Sequence, residues 1–334
     1  MKLASLKEGG RDGTLVVVDH ELKRAVRATD IARTLQAALE DWENAAPRLN
    51  RVHELLHDAA KAQTINGEEV FALDPAQLAA PLPRAYEFVD GSAYLPHVER
   101  VRRARGADVP ESFYTDPLMY QAVSAGFYGP HDPVRVPSEE FGIDLEAEVV
   151  VITDDVPMGV TPDLAISHIQ LIGLVNDVSL RNLIPNELAK GFGFLQSKPR
   201  SALSPVFVTP DELGNDWRDA RVHLPLVTHI NGVWFGAPEA GVDMHFNFAR
   251  LIAHAARTRP LSAGTIVGSG TVANQDTSLG ASCFAEKRTV ETLEHGKALT
   301  PFMCYGDTVR IEMLTHAGAS VFGAIEQRIA PPRD

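Results

Sequence analysis

The chain has 334 residues, a formal net charge of −13 and a hydrophobic fraction of 45%. The length fits one or two domains, since a domain takes about 100–200 residues. The hydrophobic fraction is that of a folded protein and excludes wholesale disorder. The acidic charge disfavours nucleic acids and anionic membrane surfaces as partners, because both are bound through clustered Lys and Arg.

The first part of the chain predicts one strand and two helices. The apolar run at residues 14–18 is typical of a β-strand. Apolar residues then recur at helical spacing over residues 31–42 and again over residues 52–56. Pro47 lies between these two stretches, so we expect it to end the first helix or begin the second.

A proline-rich stretch at residues 73–84 predicts a linker. We therefore expect a small α+β domain over residues 1–75 and a second, β-rich domain over residues 84–332. Helices are predicted from Thr161-Pro162 and through residues 246–255, because the first has a cap followed by proline and the second has helical periodicity. Strands are predicted at residues 147–152, 171–178, 220–229, 265–270, 289–293 and 309–314.

The two cysteines, Cys283 and Cys304, are too few for a disulfide framework, and we interpret both as small buried residues of a cytosolic protein. No apolar run reaches the roughly 18 residues of a membrane span. The N-terminal residues also lack the apolar core of a signal peptide. We therefore expect a cytoplasmic protein.

Acidic residues mark two of the predicted strands. Glu146 and Glu148 are two residues apart, so in a strand both side chains face one side. They indicate either a solvated strand end, with Asp144 alongside, or a site for a hard cation such as Mg²⁺ or Ca²⁺. Asp177, at the end of another apolar strand, favours the cation site as a third oxygen ligand. No Cys/His cluster with zinc spacing is found, so zinc is not expected.

A third segment carries Asp90 and, seven positions later, His97. A single histidine indicates either a surface or core position, or a proton shuttle beside a metal-bound substrate. The arginines that follow at positions 100, 102, 103 and 105 indicate either a solvated helix face or a contribution to anion binding.

Together these segments resemble the fumarylacetoacetate hydrolase family over residues 84–330. The resemblance implies a mainly β, α+β fold, with a mixed β-roll catalytic domain of the fumarylacetoacetase C-terminal type that pairs into homodimers. The motifs that carry it are Glu146-Ala147-Glu148, Asp177, the Asp90/His97 spacing, the segment 116–121 with Tyr120, the segment 194–198 with Lys198, and the turn 268–271 with Thr271.

The resemblance implies a metal-dependent hydrolase that cleaves a carbon–carbon bond in a β-diketo acid, as in the catabolism of tyrosine and other aromatic compounds. Mg²⁺, or Ca²⁺, is the implied cofactor. The implied residues are Asp90, Glu146, Glu148 and Asp177 as metal ligands, His97, Glu286 and Lys198 in catalysis, and Tyr120, Arg103 and Thr271 in substrate binding.

Two departures from the family pattern affect the substrate and the catalytic carboxylate. The stretch 182–190 lacks the Gln and Tyr that contact substrate in the long members of the family, so the substrate stays open. Glu286 fits the family's histidine-orienting Glu only with a small shift of register on an expected late strand. A decarboxylase, isomerase or dehydratase of a 2-oxo acid, and a non-catalytic ligand-binding protein, remain alternatives.

Overall fold

The computed structural model describes residues 1–58, 62–104, 106 and 108–333. These residues form an α+β fold that is mainly β. The strands are β1 (Lys2–Leu6), β2 (Thr14–Val18), β3 (Arg24–Arg27), β4 (Thr64–Ile65), β5 (Glu68–Ala72), β6 (Phe88–Gly91), β7 (Met119–Gln121), β8 (Val134–Arg135), β9 (Ile143–Asp144), β10 (Ala147–Thr153), β11 (Ile169–Asn176), β12 (Ser179–Leu180), β13 (Ala202–Leu203), β14 (Phe207–Val208), β15 (Trp217–Arg218), β16 (Arg221–Val222), β17 (Leu226–Ile230), β18 (Val233–Gly236), β19 (Ile266–Gly268), β20 (Thr308–Met313) and β21 (Ile325–Ala330). The α-helices are α1 (Leu35–Leu39), α2 (Trp42–Asp58), α3 (Leu95–Ala104), α4 (Pro162–Ala165), α5 (Ile184–Leu188), α6 (Phe248–Ala255) and α7 (Phe284–His295).

One large mixed sheet runs through both parts of the chain. Its strand order is β4-β5-β3-β2-β1-β14-β11-β10-β19-β6-β7, with β13 also paired to β11. The junction is the antiparallel pairing of β1 with β14, where Lys2 lies opposite Val208. The first five strands therefore extend the same sheet that contains the acidic strands.

The centre of this sheet is buried on both faces. Strands β10 and β11 are almost entirely apolar, which is typical of strands covered on both sides. Side chains of β10 alternate between two cores: Val149 and Val151 pack on one face, and Val150 and Ile152 on the other. Helices α1 and α2 contribute to the second core, and a separate sheet with the order β18-β17-β20-β21-β8 contributes to the first.

Most of the predicted elements are confirmed, but several expectations are wrong. Residues 289–293, expected as a strand, lie inside α7. Pro47 neither ends nor begins a helix but lies inside α2. Cys304 is exposed, whereas Cys283 is buried as expected. Among the described residues, no helix has the length and apolar character needed to cross a membrane.

Candidate active site

Three carboxylates meet at one end of neighbouring strands. Glu148 lies on β10, Asp90 on β6, and Asp177 directly follows β11. Each offers an oxygen within 4.8 Å of the other two, and none of the three residues is more than 3% exposed. Buried like charges at this separation require a compensating cation or a retained proton.

Two glycines of the intervening strand and turn make room for Asp90. Gly268 ends β19, which lies between β10 and β6, and a Cβ atom there would come within 2.1 Å of Asp90 Oδ1. Gly270 has a φ of +75°, and its N–H donates to the same oxygen at 3.1 Å. The backbone thus approaches this carboxylate where a larger residue could not fit.

Glu148 provides the test of whether these residues fit a cation. Both of its carboxylate oxygens are buried, and neither has a hydrogen-bond partner among the described residues. Burial, with the charge of Asp90 beside it, raises the pKa of Glu148 well above its usual value. Burial and the charge of Asp177 likewise raise the pKa of Asp90 to about 7. An oxygen-only donor set of this kind fits a hard divalent cation.

Glu146 lies beside this cluster and is held by two cations. Lys198 Nζ donates to Glu146 Oε2 and, at 2.6 Å, to Asp177 Oδ2. Arg181 Nη2 donates to Glu146 Oε1 at 2.7 Å. Burial alone would raise the pKa of Glu146, but the charges of Lys198 and Arg181 hold it below its usual range. Lys198 therefore connects the fourth predicted ligand to the other three.

Asp177 is held in place by neutral donors as well. The Tyr120 hydroxyl on β7 donates to Asp177 Oδ2 at 2.6 Å, and the Ser201 hydroxyl donates to Oδ1 at 2.6 Å. The Tyr120 ring centroid lies 5.3 Å from Lys198 Nζ. The structure thus brings Tyr120 and Lys198 to the carboxylates, as the resemblance implies.

A second group of residues lies between α3 and α7. His97 Nδ1 is 3.2 Å from Glu286 Oε2, and Arg100 Nη1 pairs with the other oxygen, Oε1. Arg100 also donates to the Gln275 carbonyl at 2.8 Å. The His97 side chain is 17% exposed and that of Glu286 is 3% exposed. This arrangement orients an accessible imidazole with a buried carboxylate.

The expected strand around Glu286 is wrong, although Glu286 still reaches His97. It lies in the first turn of α7, where the Cys283 Sγ accepts the Glu286 N–H at 3.3 Å. The amides of Phe284 and Ala285, at the start of the same helix, donate to Asp144 at 2.7 and 2.9 Å. A carboxylate at a helix N-terminus satisfies free N–H groups, which favours helix over strand here.

Hydrogen bonds connect the two groups. Arg181 bridges Asp144, beneath α7, to Glu146. The turn after β19 makes a second connection, since Gly270 contacts Asp90 while the Asn274 and Gln275 carbonyls accept from Arg100. Thr271, which is buried, follows Gly270 in this turn. The carboxylate cluster and the His97–Glu286 pair are therefore linked through Arg181 and through this turn.

Comparison with known sequences identifies the family. The profile of the fumarylacetoacetate (FAA) hydrolase C-terminal domain matches residues 87–330, and that of fumarylacetoacetase N-terminal domain 2 matches residues 1–84. The chain belongs to the fumarylacetoacetate hydrolase family.

Individual members of the family at this distance act differently. The chain is 31% identical over 160 residues to 2,4-didehydro-3-deoxy-L-rhamnonate hydrolase of Sphingomonas sp. strain SKA58, covering 47% of this chain and 53% of that protein. It is 23% identical over 216 residues to the mitochondrial oxaloacetate tautomerase fahd2 of Xenopus laevis, covering 64% and 63%. The matched regions thus span about half to two thirds of these relatives.

A solved structure supports the fold. Maleylpyruvate hydrolase from Sphingobium sp. SYK-6 superposes with a TM-score of 0.65 at 16% identity, covering 99% of this chain and 100% of that one. Members of the fumarylacetoacetate hydrolase family act as hydrolases, isomerases or tautomerases on acylpyruvate-like substrates, and commonly bind a divalent metal ion.

Several partners in the site were not identified from the sequence. Arg100 pairs with Glu286. Arg103, which stays a predicted substrate contact, is exposed, and Arg105 lies outside the described residues. The spacing could have indicated the Arg100 contact, since Arg100 is three positions from His97 and so shares its face of α3. Arg181 and Ser201 gave no signal of their own, because their partners are distant in the sequence.

Proposed function

We propose that this chain is a divalent-metal-dependent hydrolase that cleaves the carbon–carbon bond of a β-diketo acid such as fumarylacetoacetate or an acylpyruvate. The observation that supports it most is the hydrogen-bonded link between the His97–Glu286 pair and a carboxylate cluster in which the Glu148 oxygens accept no hydrogen bond from any described residue. The His97–Glu286 pair can activate water, and the carboxylate cluster can hold a cation.

Asp90, Glu148 and Asp177 are the proposed ligands, with Glu146 as the fourth because Lys198 ties it to Asp177. Mg²⁺, or Ca²⁺, is the proposed cation, which would supply Lewis-acid polarisation of the two oxygens of the dicarbonyl.

His97 is the proposed general base. Its Nδ1 faces Glu286, so that nitrogen carries the proton and Nε2 can accept one from water. The hydroxide adds to a carbonyl carbon, the adjacent carbon–carbon bond breaks, and the leaving carbon takes a proton. The negative charge of Glu286 stabilises the imidazolium, and Arg100 holds that carboxylate in position.

Lys198 is the proposed electrostatic stabiliser of the developing oxyanion. Burial alone would lower its pKa, but Asp177 and Glu146 raise that pKa above its usual value, so the amine stays charged. An ammonium has three donors, and two of them contact Asp177 and Glu146. The third can donate to substrate. Tyr120, Thr271 and Arg103 are the proposed contacts to the rest of the substrate.

A substrate panel tests the proposal. Fumarylacetoacetate, fumarylpyruvate and simple acylpyruvates share an absorbing β-dicarbonyl enolate, whose loss can be followed in the ultraviolet with Mg²⁺ and with chelator. We expect metal-dependent loss of absorbance and two acid products. Undiminished absorbance on every diketo acid, with metal bound, would refute hydrolysis.

Tautomerisation of a 2-oxo acid is a second candidate, favoured by the similarity to an oxaloacetate tautomerase. His97 could then move a proton between carbon and oxygen without water addition. Turnover in H₂¹⁸O separates hydrolysis from tautomerisation, because only hydrolysis places a water oxygen in the acid product.

A homodimer also remains our prediction, and light scattering on the purified protein measures its mass.

A further inference from the structure

We propose a second metal site, for a transition metal of the zinc class, formed by His20, His53 and Glu212. It lies apart from the oxygen-only cluster, on elements that the proposed reaction does not use. His20 follows β2, His53 lies on α2, and Glu212 belongs to the 3₁₀ segment Pro210–Asp216.

The three side chains converge on a small volume. Each offers a ligand atom within 4.8 Å of the other two. His20 Nδ1 pairs with Glu212 Oε1, and His53 Nε2 is 3.9 Å from Glu212 Oε2. The rings of His20 and His53 meet edge to face, with centroids 4.4 Å apart. Tetrahedral zinc separates its ligand atoms by about 3.3 Å. The His53–Glu212 separation is slightly longer than this and the His20–Glu212 contact is shorter, so rotation of the exposed His20 side chain would open room for the ion.

His53 gives independent support for a ligand. It is 4% exposed, and its Nε2 has no hydrogen-bond partner among the described residues, although this atom faces Glu212. Leaving a buried ring nitrogen unpartnered costs free energy unless a ligand occupies the position.

A fourth donor is available on α2. His57 is four positions after His53, so both project from one face of the helix. Its ring lies 4.7 Å from that of His20, and it is exposed to solvent. The competing cation is the Met1 amino group, which contacts Glu212 at 2.9 Å. A metal must displace that contact, while the imidazole ligands favour zinc, copper or nickel over Mg²⁺.

The site would join the two parts of the chain. His20 and His53 precede residue 84, whereas Glu212 belongs to the region matched by the catalytic-domain profile. A bound metal would therefore fix the N-terminal strands and α2 against the segment that follows β14. Its expected effect is on stability rather than on turnover.

Equilibrium dialysis of the metal-free full chain against Zn²⁺ alone tests the proposal. We compare the unmodified protein with His20→Gln, Glu212→Gln and Glu148→Gln, and with His316→Gln as an exposed control. Loss of an outer-shell partner already lowers metal affinity by about 10–100-fold. His20→Gln and Glu212→Gln should therefore lose the Zn²⁺ equivalent bound at the second site. Glu148→Gln and His316→Gln should retain that equivalent.

Melting temperatures provide a second readout. Zn²⁺ should raise the melting temperature of Glu148→Gln, which lacks the oxygen-only site, and should not raise that of a His20→Gln/Glu148→Gln double variant. Full zinc binding by His20→Gln would overturn the proposal. Loss of the same equivalent in His316→Gln would also overturn it, since the metal would then not depend on this cluster.

Discussion

The two halves of the site differ in how their charge is balanced. Glu286 is buried but receives a histidine and an arginine, one on each oxygen. Glu148 is equally buried and receives no donor among the described residues. Both oxygens of the first carboxylate are therefore paired within the protein, whereas those of the second are not. On the proposed function, this contrast separates the carboxylate that positions a base from one that would bind a cation.

Glu148→Gln should give the largest effect. Removing a ligand should lower kcat/KM by at least roughly 10³-fold, because Lewis-acid catalysis supplies several kcal/mol and about 1.36 kcal/mol is tenfold. The metal-free protein should nevertheless melt at a higher temperature, since glutamine replaces a buried carboxyl group that must otherwise keep a proton or repel Asp90. Glu187→Gln is the matched control: Glu187 accepts from the amides of residues 195–197, so its neutralisation should lower the melting temperature. If Glu148→Gln, like Glu187→Gln, melted at a lower temperature than the unmodified protein, the Glu148 carboxylate would not be the uncompensated group described here.

His97→Ala should lower hydrolysis by about 10²–10⁴-fold, the usual contribution of a general base. Metal binding should be unchanged, because the ligands lie in the other half. The control is His168→Ala, which removes a histidine of similar exposure paired with Asp154 at 2.6 Å. Retention of hydrolysis by His97→Ala, measured by ultraviolet absorbance, would exclude His97 as the base.

The effects of pH and of metal removal on the stability of the protein should both come from the carboxylate cluster. Asp90 keeps its proton up to about pH 7 when folded but only to about pH 4 when unfolded. The folded state therefore binds more protons in this window, and the stability of the chelated protein should fall as pH rises from about 4 to 7.

Saturating Mg²⁺ should raise the melting temperature by about 5 °C at neutral pH. Scanning calorimetry with and without chelator measures both, and an unchanged melting temperature in chelator would argue against the site.

The smallest effect should come from the arginines of α3. Arg100→Ala should lower kcat by about tenfold, as expected when an outer partner of a catalytic group is lost. Arg103→Ala should raise KM severalfold and leave kcat unchanged, because an exposed arginine would only bind substrate. Steady-state kinetics on the two variants separates these roles. A fall in kcat for Arg103→Ala would contradict the assignment of Arg103 to substrate binding alone.

The buried strands and the paired glutamates at 146 and 148 could be predicted because their signals are local. The other site residues are proposed from the family resemblance, and their roles stay predictions. The alternation that places Glu146 and Glu148 on one side depends on two-residue spacing, and buried strands are recognisable as apolar runs. The helix at Glu286 could not be predicted in this way. Its β-branched residues Thr289, Val290 and Thr292 resemble a strand, and its N-terminus is stabilised by Asp144, 140 positions away.

The charge pairings could not be predicted either. Whether Lys198 faces substrate, Glu146 or solvent depends on where three separate strands end. The same limit applies to His20, His53 and Glu212, whose separation in the sequence shows no zinc spacing. Only the fold brings them within reach of one another.

The pairing of β1 with β14 has a consequence for synthesis. Lys2 lies opposite Val208, so β1 is synthesised about 200 residues before this partner. Until then, β1 can pair with β2 and, at Leu6, with Leu78, but the edge at Lys2 and Leu3 has no partner. Long-range pairing of this kind slows folding. We therefore expect the nascent chain to be most prone to aggregation before residue 208 emerges.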